Sequence, residues 1–286
     1  MIRGDTVLSK IKTSAGPVLV LAMLLSLVIV PSFLVSAPED EVEHAEDRQI
    51  DVPDNTPAPT VDNTPPMNGA RVVVLADSTA SLGEGKRLAV STNGCTHYDD
   101  AWPELLRRRG VEDIADMSCA GTKIEAGIEY ANMDYIGRDT ENVIIAYGSN
   151  DLATVKKGRR DVDNVSRGLR ELIDTIRAKS DARIVLNGYI EFDNSSCGGR
   201  YRTGRAEAIK SSHAAVNSEM ELLAGTEGDN IVYVPPPPAP RLCDDNTIIT
   251  QPGSDRGYIW HNNSRAHELI ANNLERELLP PHPHKE

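Results

Sequence analysis

Short uncharged runs rich in β-branched residues alternate along the chain with stretches whose apolar residues recur every three or four positions. A short apolar run bounded by turn residues is typical of a strand buried on both faces of a parallel sheet. Apolar residues at helical spacing indicate amphipathic helices that cover such a sheet. The pattern predicts strands at residues 72–75, 111–117, 142–147, 183–189 and 231–234.

Four amphipathic helices are predicted between and after these strands. The first covers residues 99–110, where Asp99 and Asp100 offer an N-cap and Gly110 ends the helix. The other three are centred on residues 162–176, 203–224 and 262–278.

Strands that alternate with helices favour an α/β fold with three layers, in which helices cover both faces of a central five-stranded parallel sheet. Right-handed crossovers bring the carboxyl ends of parallel strands to one edge of such a sheet. Ser78, Gly121 and Asn150 follow predicted strands, and His261 directly precedes the last helix. We therefore expect these four residues to meet at that edge.

The N-terminal segment has a basic flank followed by a long apolar stretch. Arg3, Lys10 and Lys12 precede uncharged residues that continue to Pro38. This pattern is typical of a secretory signal peptide or a membrane anchor, and either one places the remainder outside the cytoplasmic membrane. Residues 35–37 resemble a signal-peptidase site, whereas Pro38 disfavours cleavage there, so both alternatives stay open for residues 1–37.

Composition divides the rest of the chain into three parts. Residues 38–69 are acidic and rich in Pro, Thr and Asn, and are predicted to form a disordered linker. Residues 70–279 are predicted to form the folded domain, and residues 280–286 a flexible tail.

Charge and aromatic content limit the expected partners. The net charge of −13, the sequence pI of about 5.0 and the aromatic content of 4% argue against a nucleic-acid partner. Contact with a membrane is expected only through the N-terminal segment, and the protein is expected to be a monomer. The sequence contains no CxxC spacing of the kind that forms a zinc ribbon, and no metal or cofactor is expected.

The four cysteines indicate disulfides, because an even number in an exported chain is typical of an oxidising compartment. Three pairings are possible. We prefer the pairing of nearest neighbours, which joins Cys95 to Cys119 and Cys197 to Cys243.

The residues expected at the sheet edge resemble the motifs of the SGNH, or GDSL-type, hydrolase family. Its Gly-Asp-Ser motif corresponds to residues 76–78, which read Ala-Asp-Ser, and its isolated glycine corresponds to Gly121. Its Gly-x-Asn-Asp motif matches residues 148–151 in full, and its histidine before a helix corresponds to His261. The resemblance covers residues 71–278 and implies the flavodoxin-like SGNH fold. Cys95 and Cys119 look like the cysteines of exported actinobacterial members.

The resemblance implies acyl transfer through a serine nucleophile. Ser78 is the expected nucleophile, and His261 is the expected base because the pKa of histidine lies near working pH. The backbone N–H groups of Ser78 and Gly121 and the side-chain amide of Asn150 are the expected oxyanion donors. His97 and His267 are expected to have structural rather than catalytic roles.

Two positions depart from the family pattern. Ala76 replaces a glycine, and a small residue on a strand is expected to be tolerated. The family usually has an aspartate three residues before the histidine, where this chain has Tyr258. Either Asp255 reaches His261 through a longer loop, or the backbone carbonyl of Tyr258 orients the imidazole in a Ser–His dyad.

The sequence therefore favours an extracytoplasmic serine esterase that acts on a carboxylic ester. Lipid esters, acylated glycans and small soluble esters are the candidate substrates. Two alternatives remain: an acyltransferase that acts on cell-surface glycans with the same residues, and a catalytically silent module that binds glycans or another partner.

Overall fold

Five strands and seven helices make up the part of the chain that the structure describes. The computed structural model describes residues 69–88, 93–153, 159–191, 204–228, 230–238 and 261–279. The strands are β1 (Val72–Ala76), β2 (Ile114–Asp116), β3 (Asn142–Ala146), β4 (Arg183–Asn187) and β5 (Ile231–Val234). The helices are α1 (Ser78–Ser81), α2 (Trp102–Arg108), α3 (Ile124–Ala131), α4 (Ser149–Ala153), α5 (Arg159–Arg177), α6 (Gly204–Thr226) and α7 (Ser264–Leu278).

The strands form one parallel sheet in the order β2-β1-β3-β4-β5. β1 and β3 pair along their whole length, from Val72 with Asn142 to Ala76 with Ala146. Their carboxyl ends are therefore level, and the following loops start side by side. Asp77 N donates to Ala146 O at 3.2 Å, and Cys119 N donates to Ala76 O at 3.0 Å. The predicted three-layer α/β fold with a five-stranded parallel sheet is confirmed.

Alternate strand residues face two separate apolar layers, as the period of two in a strand requires. Val73, Leu75 and the residues level with them on β3 and β4 pack in one layer with residues of α3, α5 and α6. Val72, Val74 and Ala76 pack in the other layer with residues of α2 and α7. Ala76 has no exposed surface and lies in the same cluster as Ala80 and Ala146, so this layer accommodates a methyl group at the position of the family's glycine.

The predicted cap of the first amphipathic helix is wrong. α2 begins at Trp102, after an Ala101 cap that makes no side-chain hydrogen bond, and it ends at Arg108. Asp99 and Asp100 instead accept hydrogen bonds from backbone N–H groups of the loop at residues 84–86: Lys86 N to Asp99 at 2.7 Å and Glu84 N to Asp100 at 2.9 Å. The two carboxylates thus fix a loop that the sequence pattern does not reveal.

The sequence pattern also misses α3, where Gly127 interrupts the apolar positions. A Cβ at Gly127 would lie 2.7 Å from the ring of Tyr147, so a glycine allows α3 to pack closely on the end of β3. A residue that lowers helix propensity is retained here because of a contact with a distant part of the chain.

Several predictions concern residues outside the described ranges. These are the signal peptide or anchor at residues 1–37, nearly all of the linker at residues 38–69, and the tail at residues 280–286. No helix within the described ranges is long and apolar enough to span a membrane.

Candidate active site

Ser78 begins α1, with one residue between it and the end of β1. The carboxylate of Asp77 caps this helix, with Oδ1 accepting hydrogen bonds from Thr79 N at 2.9 Å and Thr79 Oγ1 at 2.8 Å. Such a cap fixes the turn from strand to helix and hence the direction of the serine side chain. Ser78 keeps 8% of its surface exposed at the carboxyl edge of the sheet.

His261 meets Ser78 across a separation of 183 residues. The two atoms in contact are His261 Nε2 and Ser78 Oγ, which lie 3.0 Å apart. His261 is half-buried just before α7, whose start is fixed by a hydrogen bond from Ala266 N to the Asn263 side chain at 2.9 Å. An imidazole nitrogen at this distance from a hydroxyl can remove its proton when the oxygen attacks an electrophile.

Gly121 lies in the loop after β2 and has a φ of +79°, where glycine is strongly favoured. Within the part of the chain that the structure describes, an added Cβ would find no atom within 4 Å. Among these residues the glycine is therefore favoured by the backbone conformation rather than by crowding.

Asn150 lies in α4, the short helix that follows β3, and it contacts the loop of Gly121. Its side-chain Nδ2 donates to Thr122 O at 2.9 Å and lies 3.5 Å from Asp77 Oδ2. The next residue, Asp151, accepts a hydrogen bond from Ile124 N at 3.3 Å and thereby holds the start of α3. The loops after β1, β2 and β3 are thus joined to one another by side chains.

Tyr189 is a residue of this site that the sequence interpretation missed. Its hydroxyl donates to Asp77 Oδ2 at 2.8 Å and lies 3.0 Å from Ala146 O. Burial raises the pKa of Asp77 to about 6, although the hydrogen bonds from Thr79 and Tyr189 favour the ionised form. The position of Tyr189, two residues beyond the end of β4 at the same sheet edge, is the signal that could have identified it.

The family model for GDSL-like lipases and acylhydrolases matches residues 77–269, which is more than half of the chain. The chain belongs to this family. The match begins at the residue before Ser78 and extends beyond His261, so it includes every loop described above. The predictions of an SGNH hydrolase and of an enzyme that cleaves ester bonds are confirmed. No curated protein matches the sequence.

Solved structures of similar fold include two from Streptomyces. A phospholipase A1 from Streptomyces albidoflavus NA297 has a TM-score of 0.56 and 18% identity, and the match covers 72% of this chain and 98% of that one. An extracellular lipase from Streptomyces rimosus has a TM-score of 0.55 and 16% identity, with coverage of 71% and 97%. At these identities the likeness shows the shared fold alone.

A third similar structure is a carbohydrate esterase of family 2 from Corynascus thermopiles (Myceliophthora fergusii), which also carries a carbohydrate-binding domain. Its TM-score is 0.50 at 13% identity, and the match covers 75% of this chain and 67% of that one.

Cys95 and Cys119 of this GDSL-like hydrolase form a disulfide with a Cα–Cα distance of 5.4 Å, which is the pairing expected from the sequence. Cys119 lies two residues before Gly121, and its carbonyl accepts a hydrogen bond from Thr122 Oγ1 at 2.6 Å. The disulfide therefore ties the loop of Gly121 to the segment at residues 93–97.

His97 lies behind this loop rather than in the site. Its Nε2 donates to Ser118 O at 2.8 Å, and its Nδ1 lies 3.2 Å from Asp116 Oδ2. Ser118 has no exposed surface, so this second set of a serine, a histidine and an aspartate offers no nucleophile to a substrate. His97 therefore has a structural role, as expected.

His267 is completely buried in α7 of the hydrolase. Its Nε2 donates to Leu82 O at 2.6 Å, and its Nδ1 accepts from Trp102 N at 3.2 Å. Burial lowers the pKa of His267 to about 4. This neutral ring connects α7 with the end of α1 and the start of α2, in agreement with the structural role that we expected.

The remaining predicted site residues lie outside the described ranges. Asp255 and Tyr258, the two alternative partners of His261, are among them, and so are Cys197 and Cys243. Their roles stay predictions.

Proposed function

We propose that this GDSL-like hydrolase is an extracytoplasmic serine esterase in which Ser78 is the nucleophile and His261 is the base. The observation that supports the proposal is the 3.0 Å contact between His261 Nε2 and Ser78 Oγ, made at the sheet edge where ligands of open α/β folds bind. The distance lies within the range in which a base can remove a proton from a bound nucleophile.

The proposed reaction has two halves. In the first, Ser78 Oγ attacks the ester carbonyl carbon while His261 Nε2 takes the hydroxyl proton. The tetrahedral intermediate then expels the alcohol, which receives that proton, and leaves an acyl group on Ser78. In the second half, His261 removes a proton from water, the resulting hydroxide attacks the acyl carbon, and the acid leaves as Ser78 regains its proton.

The oxyanion of each intermediate needs donors that are already in place. The backbone N–H groups of Ser78 and Gly121 and the amide of Asn150 are the proposed donors. Two observations support this assignment: no described residue comes within 4 Å of the position that a Cβ at Gly121 would take, and Asn150 is held against the same loop through Thr122. Removal of one such donor typically lowers the rate by about 10²–10³-fold.

The third member of the catalytic group has two candidates. The carboxylate of Asp255 or the backbone carbonyl of Tyr258 would accept the proton on His261 Nδ1 and keep Nε2 free to act as the base. The family's usual spacing places the acceptor at residue 258, which favours the carbonyl and therefore a Ser–His dyad.

The proposed substrates are esters with short acyl chains on lipids, glycans or small soluble alcohols. The phospholipase, lipase and carbohydrate esterase among the similar structures support these classes of ester. Polar predicted loops, without a long apolar lid in the sequence, favour the short chains. The basic and apolar N-terminal segment supports a location outside the cytoplasmic membrane, secreted or anchored.

Replacement of the nucleophile tests the proposal directly. We expect Ser78→Ala to lower kcat on short p-nitrophenyl esters by at least about 10³-fold and to abolish labelling by a fluorophosphonate probe, because alanine offers no attacking oxygen. Ser81→Ala is the matched control, because this buried serine lies in the same helix and its hydroxyl has no hydrogen-bond partner among the residues that the structure describes. Full activity in Ser78→Ala would refute the assignment, and an absence of labelling in the wild-type protein would favour a silent module.

A further inference from the structure

Two neighbouring residues of the segment before α7 contact two neighbouring residues of α1. His261 Nε2 lies 3.0 Å from Ser78 Oγ, and the adjacent Asn262 donates from Nδ2 to Thr79 O at 2.9 Å. Two contacts between the same two short segments restrict both the distance between the segments and the rotation of one relative to the other. The contact of the imidazole with the serine is therefore one of two points at which these segments are attached.

The surroundings of Asn262 favour a persistent hydrogen bond to Thr79 O. Asn262 is buried, with 7% of its surface exposed, so its amide is shielded from competing water. A hydrogen bond in such surroundings is costly to break, because the amide and the carbonyl would each lose a partner without gaining water.

The acceptor residue is itself fixed by the turn that carries the nucleophile. Thr79 donates from both N and Oγ1 to the same oxygen of Asp77, at 2.9 and 2.8 Å. Asp77 in turn accepts from the hydroxyl of Tyr189 at 2.8 Å. The carbonyl that Asn262 binds thus belongs to a turn that several hydrogen bonds already hold in place.

The other links between α7 and its surroundings act farther from the reacting atoms. Ser264, three residues beyond His261, donates from Oγ to Asp100. His267 donates to Leu82 O at the end of α1. These links place the helix as a whole. Asn262 is covalently next to the imidazole-bearing residue, and its partner Thr79 is covalently next to the serine.

We infer that Asn262 is a positioning residue that holds the imidazole of His261 in line with Ser78 Oγ. The inference rests on the proposed function of those two residues. It assigns to Asn262 no contact with substrate: the amide acts only through the position of the neighbouring ring. Loss of the amide should therefore slow the chemical step and leave substrate binding nearly unchanged.

The test compares Asn262→Ala and Asn262→Leu with the wild-type full chain. Leucine keeps nearly the size of the side chain, adds no charge and has no N–H donor, so it separates the hydrogen bond from packing. For both variants we expect kcat on a short p-nitrophenyl ester, and the rate of Ser78 labelling by a fluorophosphonate, to fall about 10–100-fold. We expect KM to change by less than about twofold, because ground-state binding does not use the amide.

Asn273→Ala is the matched control. Asn273 lies in α7 and likewise donates from Nδ2 to a backbone carbonyl, that of Pro235 at 3.2 Å, but on an exposed surface. This variant loses the same kind of bond from the helix that directly follows Asn262, and it should keep the wild-type kcat and labelling rate.

A second comparison separates positioning from a general loss of structure. In a His261→Ala background the residual activity no longer depends on the imidazole, so adding Asn262→Ala should lower it no further. An equal additional loss in that background would overturn the inference, and so would single variants with wild-type kcat. If the wild-type protein neither cleaves the ester nor reacts with the probe, the proposed function fails first and this inference fails with it.

Discussion

Two buried titratable side chains beside the site respond to burial in opposite ways. Both Asp77 and His267 are desolvated by burial, which favours the neutral form of each side chain. The pKa of Asp77 is accordingly raised to about 6, and that of His267 is lowered to about 4. Asp77 stays bonded to donors, from Thr79 and Tyr189, whereas His267 lies between one donor and one acceptor. Each residue is held by partners that match the form it adopts near neutral pH.

His267 should make the fold sensitive to acid. The unfolded chain takes up a proton on this ring near pH 6.5 and the folded protein only near pH 4, so the free energy of unfolding should decrease as the pH falls through that window. His267→Gln keeps a donor towards Leu82 and an acceptor towards Trp102 but cannot titrate. Between pH 7 and pH 4.5 the wild-type protein should lose about 1–3 kcal/mol more than this variant.

Thermal or urea unfolding at several pH values measures the difference. Asp77 contributes with the opposite sign, because its raised pKa favours the folded state as the pH falls from about 6. Both proteins contain Asp77, so its contribution cancels in the comparison. Parallel pH profiles for the two proteins would contradict the prediction.

At the scale of elements, the site is a set of loops that follow β1, β2 and β3, together with the segment before α7. The loop after β2 follows the edge strand of the described sheet, in which β2 pairs with β1 alone. Its position is fixed instead by the disulfide between Cys95 and Cys119 and by the contacts of His97 with Ser118 and Asp116. Covalent and polar links here replace the support that a further strand would give.

Removal of this disulfide should affect both stability and catalysis. The double variant Cys95→Ser/Cys119→Ser opens a loop with a sequence separation of 24, which costs about 3–4 kcal/mol in the chain-entropy model. We also expect a lower kcat, because the loop of Gly121 loses its tie to the preceding segment. Thermal unfolding measures the first effect, and kinetics at a temperature where the variant is fully folded measures the second. An unchanged kcat under those conditions would show that the remaining hydrogen bonds suffice.

The strands and most helices can be predicted from the sequence because burial leaves a local trace. Residues 72–75 and 142–147 are continuous apolar runs, since the sheet is covered on both faces. The sequence pattern of α3 is weaker, because the glycine at position 127 makes room for the ring of Tyr147 and lowers the helix propensity. The caps assigned to Asp99 and Asp100 fail for the same reason: their partners are backbone groups in a distant loop.

The site follows the same division. Ser78, Gly121, Asn150 and His261 can be predicted because the topology collects residues that follow strands at one edge. Tyr189 and Asn262 could not be assigned roles in the same way. Their roles depend on which carbonyl or carboxylate lies opposite each of them, and the sequence contains that information only through the complete fold.

At the scale of the whole molecule, α7 completes the layer that it shares with α2. Arg109, which caps α2, donates to Asn272 at 2.7 Å and to Glu275 at 2.9 Å, and it also pairs with Glu268. Exposed ion pairs of this kind contribute little individually, typically about 0–1 kcal/mol. The apolar residues of α7, among them Ile270 and Leu274, therefore contribute most of the free energy that holds α7 against α2.

The N-terminal segment should determine where the protein is found. In a bacterial host we expect the full chain outside the cytoplasmic membrane, because a basic flank before an apolar stretch directs export with the flank inside. A variant that lacks residues 13–37 should stay in the cytoplasm. Cell fractionation measures both, and the mass of the exported protein distinguishes a cleaved signal peptide from a retained anchor. Equal distribution of the two proteins would contradict the prediction.

The separation of 183 residues between Ser78 and His261 has a consequence for synthesis. A ribosome makes Ser78 long before His261, so a chain that is cut short between them contains the proposed nucleophile without its proposed base. If these two residues have the proposed roles, hydrolysis can begin only after His261 has been made and α7 has docked on α2. Translation products that end before His261 should therefore be inert towards esters, and esterase activity reports that synthesis has passed this residue.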